Sequence, residues 1–178
     1  MAETSAVTAE FPDDAVLGHG LPAPVEVLIR EAGHLYHEPA LAQQKLEEAC
    51  AAASGHPATL IALYRFHFYG NRLAAARDVA VEAMRCAARE LGLPEDWRYV
   101  APDPDLFDGM ESLPRFYLFS LKGYAYLSLR LGDEQDGTEA LALLRLLDPL
   151  DRVGGSVLEK VIERRGVDEY ADHEGPQP

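Results

Sequence analysis

Cysteine is nearly absent from this chain, with only Cys50 and Cys86 among 178 residues. Neither belongs to a Cys-x-x-Cys pair, so no zinc or redox motif is built from them. Each sits among small apolar residues, where buried free thiols are usually found. Alternating Val/Ile/Thr runs bounded by hairpin turns are missing, which removes the usual signature of β-sheet. No apolar run approaches the roughly 18 residues that a membrane span needs. The opening Met-Ala-Glu-Thr-Ser has neither a basic nor an apolar region of a signal peptide, so a cytoplasmic protein is expected. Cations are scarce, 16 Lys and Arg against 30 Asp and Glu, a net charge of -14. Nucleic acid and anionic membrane both demand clustered Lys and Arg, so neither is expected as a partner.

What the chain does have is helix-forming residues and an internal echo. Ala, Leu, Glu and Arg dominate its middle. His34-Leu35-Tyr36-His37-Glu38 returns 33 residues later as His67-Phe68-Tyr69-Gly70-Asn71, and an Ala-rich stretch follows each copy. A looser third copy runs from Leu131-Gly132-Asp133 into Glu139-Ala140-Leu141. Self-similarity at this spacing, with two helices per unit, predicts stacked helical hairpins.

The boundaries follow from local chemistry. Residues 1–22 lack periodicity and read as a flexible arm, with Phe11, Val16 and Leu17 available to dock it. Pro24 suits a first helical turn, and that helix is expected to end near Tyr36. Its partner starts by Pro39 and ends near Ala53. The second hairpin is expected over 58–69 and 73–91, stopped by Gly92 and Pro94. Residues 93–112 form a long connection whose Trp97, Tyr99 and Phe107 suit either a plug at one end of the stack or a cover on its groove. The third hairpin is expected over 114–131 and 138–147. A capping box in Ser156-Val157-Leu158-Glu159 predicts a terminal capping helix near 156–165. The repeat domain spans 23–167, and 168–178 read as a disordered polar tail.

These features resemble the tetratricopeptide-repeat family. The carriers are small-bulky-small triplets after each turn: Ala42, Leu46 and Ala49; Ala75, Val79 and Ala83; then Ala140 and Leu144 before Asp148-Pro149. The third copy fits only if Glu134-Gln135-Asp136 is an insertion. The resemblance covers residues 25–150 and lacks the family's early Trp and Leu-Gly pair, so it describes a divergent member. It implies an all-α, TPR-like array of about three antiparallel hairpins with a capping helix. It also implies a concave surface made by the first helix of each hairpin, placing Tyr64, His67, Phe68, Phe119, Lys122, Tyr126 and Arg130 there as partner-binding residues. Lys122, Tyr126 and Arg130 recur at i, i+4, i+8, one helical face. Aromatic rings beside cations suit an apolar anchor carrying a carboxylate. The competing reading is that these aromatics are core.

Catalytic signatures are missing. Gly18-His19-Gly20 has no third Gly and no preceding strand, and Asp103 to Gly109 lacks the alternation and terminal Glu of a calcium loop. His34-x-x-His37-Glu38, with His67, is the most metal-like grouping, but it matches no zincin spacing and falls at a turn. The expectation is therefore a non-enzymatic adaptor or accessory factor, without cofactor, that binds a protein or peptide, either basic or bearing an exposed carboxylate. Two alternatives stand beside it: a chaperone that shields an amphipathic helix, and a His-based metal enzyme or sensor. Oligomeric state is not readable from the residues.

Overall fold

A computed structural model describes residues 20–109 and 111–160, and within them the chain is all-helical. Six principal helices form three consecutive hairpins: α1 (Ala23–His34) with α2 (Pro39–Ala52), α3 (Pro57–Tyr69) with α4 (Leu73–Leu91), and α6 (Ser112–Leu131) with α7 (Glu134–Leu147). A 3₁₀ turn (Trp97–Tyr99) and the short α5 (Pro104–Phe107) lie in the long connection between the second and third hairpins. Residues 156–160 are helical, which begins the expected capping helix. The expected arm, with Phe11, Val16 and Leu17, and the expected tail from Asp168 lie outside the described residues.

Prolines in the first turn start α1, α2 and α3, where a missing N–H costs nothing. Gly92 and Gly132 stop α4 and α6 in the left-handed region, at φ 70° and 87°. In the second hairpin Asn71 takes that role, at φ 56°, one residue after Gly70. The second helix of each hairpin begins in nearly the same way. Glu38, Arg72 and Asp133 adopt N-cap ψ values of 71°, 65° and 68°. Their carbonyls accept from the amides of Ala42, Ala76 and Gly137, each at 3.0 Å.

This shared start corrects two sequence expectations. The small residue at the start of the second hairpin's return helix is Ala76, fully buried, and not the half-buried Ala75, which places it 34 residues after Ala42. Glu134-Gln135-Asp136 is not an insertion but the first turn of α7, and Gly137 fills the small position. A Cβ on Gly137 would lie 2.6 Å from Leu129 Cγ and 3.1 Å from the Ala125 carbonyl, so α6 and α7 approach too closely there for any side chain.

Helices pack in chain order, α2 on α3 and then α4 on α6, and the main core runs from α3 to Leu158. Its centre is α6, where fourteen of twenty residues are buried. The connection between hairpins closes over this centre. Trp97 packs on Tyr124 with ring centroids 5.6 Å apart, and Phe107 on Tyr117 at 6.1 Å. Tyr124 Oη donates to Asp136 at 2.7 Å, and Arg98 Nη2 donates to the same carboxylate at 2.8 Å. The Tyr124 bond, then the Arg98 bond and charge, hold the Asp136 carboxyl below the usual Asp range even though burial pushes it up. Trp97 and Phe107 therefore plug the α4–α6–α7 core, whereas Tyr99 stays exposed.

Candidate functional site

The seven residues expected on the concave face do not form an open surface. Tyr64, His67, Phe68, Phe119, Lys122 and Tyr126 are all buried, each at most 8% exposed, and only Arg130 faces outward. The physical reason lies at Gly123. A Cβ there would come within 3.0 Å of Tyr64 Oη, so the bare backbone of α6 lets the α3 tyrosine lie directly against it. Phe68 then stacks 5.8 Å from Tyr64 within α3 and meets Tyr126 of α6 at 6.0 Å in a tilted contact, and these packed rings close the α3/α6 seam. Arg130 Nη1 covers the outer end by donating to Tyr126 Oη at 2.8 Å.

The remaining predicted residues go elsewhere. Lys122 Nζ donates to the Val153 carbonyl at 2.6 Å, and Asp148 accepts from the Val153 amide at 2.8 Å. This buried lysine therefore clamps the turn after α7, and Phe119 lies beside it with its ring centroid 6.0 Å from Nζ. His67 Nδ1 accepts from Arg72 Nε at 3.1 Å, which ties the last turn of α3 to the N-cap of α4. Burial first, and the Arg72 charge second, push the His67 imidazole below its ordinary value, against an opposing pull from Glu47.

An open groove does exist, one seam earlier. A cavity of about 1080 Å³ lies between α1 and α3. Glu26, Ile29, Arg30, Ala32 and Gly33 of α1 form one wall, and Ala58, Ile61, Ala62, Arg65, Phe66 and Tyr69 of α3 form the other. Leu21, Tyr36, Pro39 and Leu46 close the ends and floor, with Gly70 and Arg72 at the turn. The α1 wall of the groove carries the small residues Ala32 and Gly33, and no aromatic pair like the tilted contact of Phe68 with Tyr126 bridges α1 and α3 among the described residues. Two rim aromatics point away from the core, Tyr36 at 72% and Tyr69 at 68% exposure. The Arg72 guanidinium lies 4.1 Å from the Phe66 ring centroid and donates to the Phe66 carbonyl at 3.1 Å, which fastens α3 to the start of α4 at that end. Tyr69 and Phe66 lie in the sequence beside residues singled out as concave. Choosing them instead required knowing that Gly123 closes the neighbouring seam.

The metal-like grouping is not assembled. His34 ends α1, His37 lies in the following turn against Tyr36, Glu38 is the N-cap of α2, and all three are exposed. His67 belongs to a different turn, and among the described residues no group of three His, Cys, Asp or Glu side chains is placed to hold a metal ion. In the Asp103 to Gly109 stretch, Asp103 Oδ1 accepts from the Asp105 amide at 3.1 Å, a cap for α5. No described helix is long and apolar enough to cross a membrane.

The chain is 37% identical over 126 residues to the uncharacterized 19.8 kDa protein in the nifW 5′ region of Azotobacter chroococcum mcd 1. The match covers 68% of this chain and 69% of that protein. No family model matches the chain, and no solved structure matches it. The chain belongs to the family of that Azotobacter protein.

Proposed function

We propose that this member of that family is a non-catalytic, cytoplasmic interaction factor, a divergent TPR-like array that takes a segment of a partner protein into the α1/α3 groove. The observation that carries this reading is the groove itself: about 1080 Å³ of largely apolar space with two tyrosines exposed on its rim. Exposed aromatics beside an apolar cleft are costly to leave in water and are typical anchors of protein recognition. The groove runs between two helices, a geometry that suits an amphipathic helix laid across it. That shape also favours the chaperone reading, in which the same groove shields a partner's apolar face until assembly. The name of the Azotobacter relative places it beside nifW, so proteins encoded in such a region are the first partners to test.

The test uses Ile29 and Ala62, which line opposite walls. In co-purification from the native host, Ile29→Asp with Ala62→Glu should lose a partner that the wild type retains, at unchanged helicity by circular dichroism. A partner held equally by both proteins removes the groove from the function. Aggregation of the purified partner, measured with and without the chain, separates chaperone from adaptor.

A further inference from the structure

The lining charges of the α1/α3 groove select no charged ligand. Glu26 and Arg30 stand one turn apart on α1, Arg72 is held by Phe66 and His67, and Arg65 makes an interaction of its own. What the groove offers is apolar surface. Ile29 faces Ala62 and Phe66, all half-buried, and Tyr36 and Tyr69 are exposed on the rim. Leu21 also lines the groove, so the chain passes its mouth just before α1 begins. Gly20, at φ 87°, turns the chain off the line of α1 at that point. The sequence places an aromatic and two branched aliphatic residues, Phe11, Val16 and Leu17, shortly ahead of this turn.

Resting on the groove reading above, we propose that residues 11–17 of this same chain are the resting occupant of the α1/α3 groove, which a partner segment has to displace. Reach permits it. α1 has 12 residues and is about 18 Å long at a rise of about 1.5 Å per residue. Leu17 lies four residues before Leu21, within about 14 Å of it, and so can reach most of the way along α1. Phe11 lies ten residues before Leu21 and has a reach of about 33 Å, more than the whole groove. The tether supplies the affinity that so short an apolar segment lacks. A short linker holds its segment at an effective concentration of about 1 mM. A segment whose separate dissociation constant is about 0.1 mM then fills about nine-tenths of the grooves and weakens any competitor about tenfold.

A fluorescein-labelled peptide of residues 7–19 is the probe, and anisotropy compares intact wild type with Phe11→Ser/Leu17→Ser. The variant should bind the peptide about tenfold more tightly than the wild type, because its groove is vacated. Adding Ile29→Asp and Ala62→Glu to that variant should abolish the binding. Hydrogen exchange of the α1 amides should be slower in the wild type than in Phe11→Ser/Leu17→Ser, by a factor that does not change on dilution. Equal peptide affinity in the two proteins, or no binding to the variant, overturns the inference and leaves the groove reading to be judged by co-purification. Protection that fades on dilution also overturns it, since the segment would then lie in the groove of a second copy.

Discussion

Adding one methyl group to a helix should have opposite effects at two glycines of this protein. Gly33 lies in the last turn of α1, and a Cβ there meets nothing within 4 Å. Gly137 lies in the first turn of α7, and a Cβ there meets Leu129 Cγ at 2.6 Å, Leu129 Cδ2 at 2.8 Å and the Ala125 carbonyl at 3.1 Å. Replacing glycine by alanine within a helix gains about 0.5–1 kcal/mol from reduced backbone entropy and better propensity. Gly33→Ala should therefore stabilise the protein by roughly 0.5 kcal/mol, since helix ends realise only part of that gain. At Gly137 the same gain is opposed by overpacking, which costs about 1–3 kcal/mol when neighbours must move. Carbon atoms prefer about 3.5–4.0 Å, so α7 has to retreat by nearly 1 Å, and one of the atoms in its way is backbone. The net expectation for Gly137→Ala is a loss of about 1–2 kcal/mol, or a few degrees in melting temperature for a chain of this size. Urea titrations of the wild type and both variants give the two values directly. Gly137→Ala as stable as the wild type would refute the close approach of α6 and α7. It would also remove the reason for aligning Gly137 with Ala42 and Ala76. Loss of stability in Gly33→Ala would show that α1 does not continue through Gly33 as a helix.

Two further outcomes follow from the buried ionisable groups. His67 has a folded pKa below its unfolded value of about 6.5, so the unfolded chain binds the extra proton first. Stability from this group is present above about pH 6.5 and is lost as pH falls below it, with a slope of at most about 1.4 kcal/mol per pH unit. His67→Gln should flatten that acid-side slope in denaturant midpoints between pH 7.5 and 5, and an unchanged slope would assign the effect to other groups. The Cys86 thiol is pushed up to about 11, by burial first and by the Glu82 hydrogen bond and charge next. Burial likewise raises Cys50, with the Thr59 side-chain hydrogen bond opposing it and the Glu47 charge adding to it. Both thiols should react with iodoacetamide far more slowly in the native protein than in urea at pH 8, because so little thiolate is present. Rapid native labelling of Cys86 would contradict its placement beside Glu82.

The sequence made the helices visible far more readily than their neighbours. The span Leu73–Leu91 was marked at its end by Gly92 and Pro94, whose backbone preferences act locally and need no tertiary context. The prolines that start α2 and α3 are local signals in the same sense. The start of α7 was missed because Glu134-Gln135-Asp136 carries no apolar residue, and Gly137 in a helix looks like a fault until Leu129 is seen against it. The site was harder still. Periodicity assigns a buried face only when a helix has another face in water, and α6 has almost none. The resemblance to the tetratricopeptide-repeat family therefore puts Phe119, Lys122 and Tyr126 on a concave face, and their burial favours the competing reading of the aromatics as core. The exposed tyrosines beside the α1/α3 groove, Tyr36 and Tyr69, are legible as residues of the repeated motif, but nothing in the motif tells which seam between hairpins is filled.

That difference between seams also bears on how the array unfolds. Stability in a stacked helical array is passed from neighbour to neighbour, and each junction couples only the two units it joins. The junction between the second and third hairpins is doubly fastened, by α4 on α6 and by the rings of Tyr64, Phe68 and Tyr126 across α3 and α6. The junction between the first and second relies chiefly on α2 against α3, because the groove occupies the space where α1 and α3 would otherwise meet. Folding cooperativity should therefore weaken at residues 53–56, leaving α1 and α2 as a separable unit that opens at lower free energy than the rest. A ligand wedged between α1 and α3 would supply the missing junction, so occupancy would be felt as protection of the whole first hairpin from exchange and not only at the residues it touches.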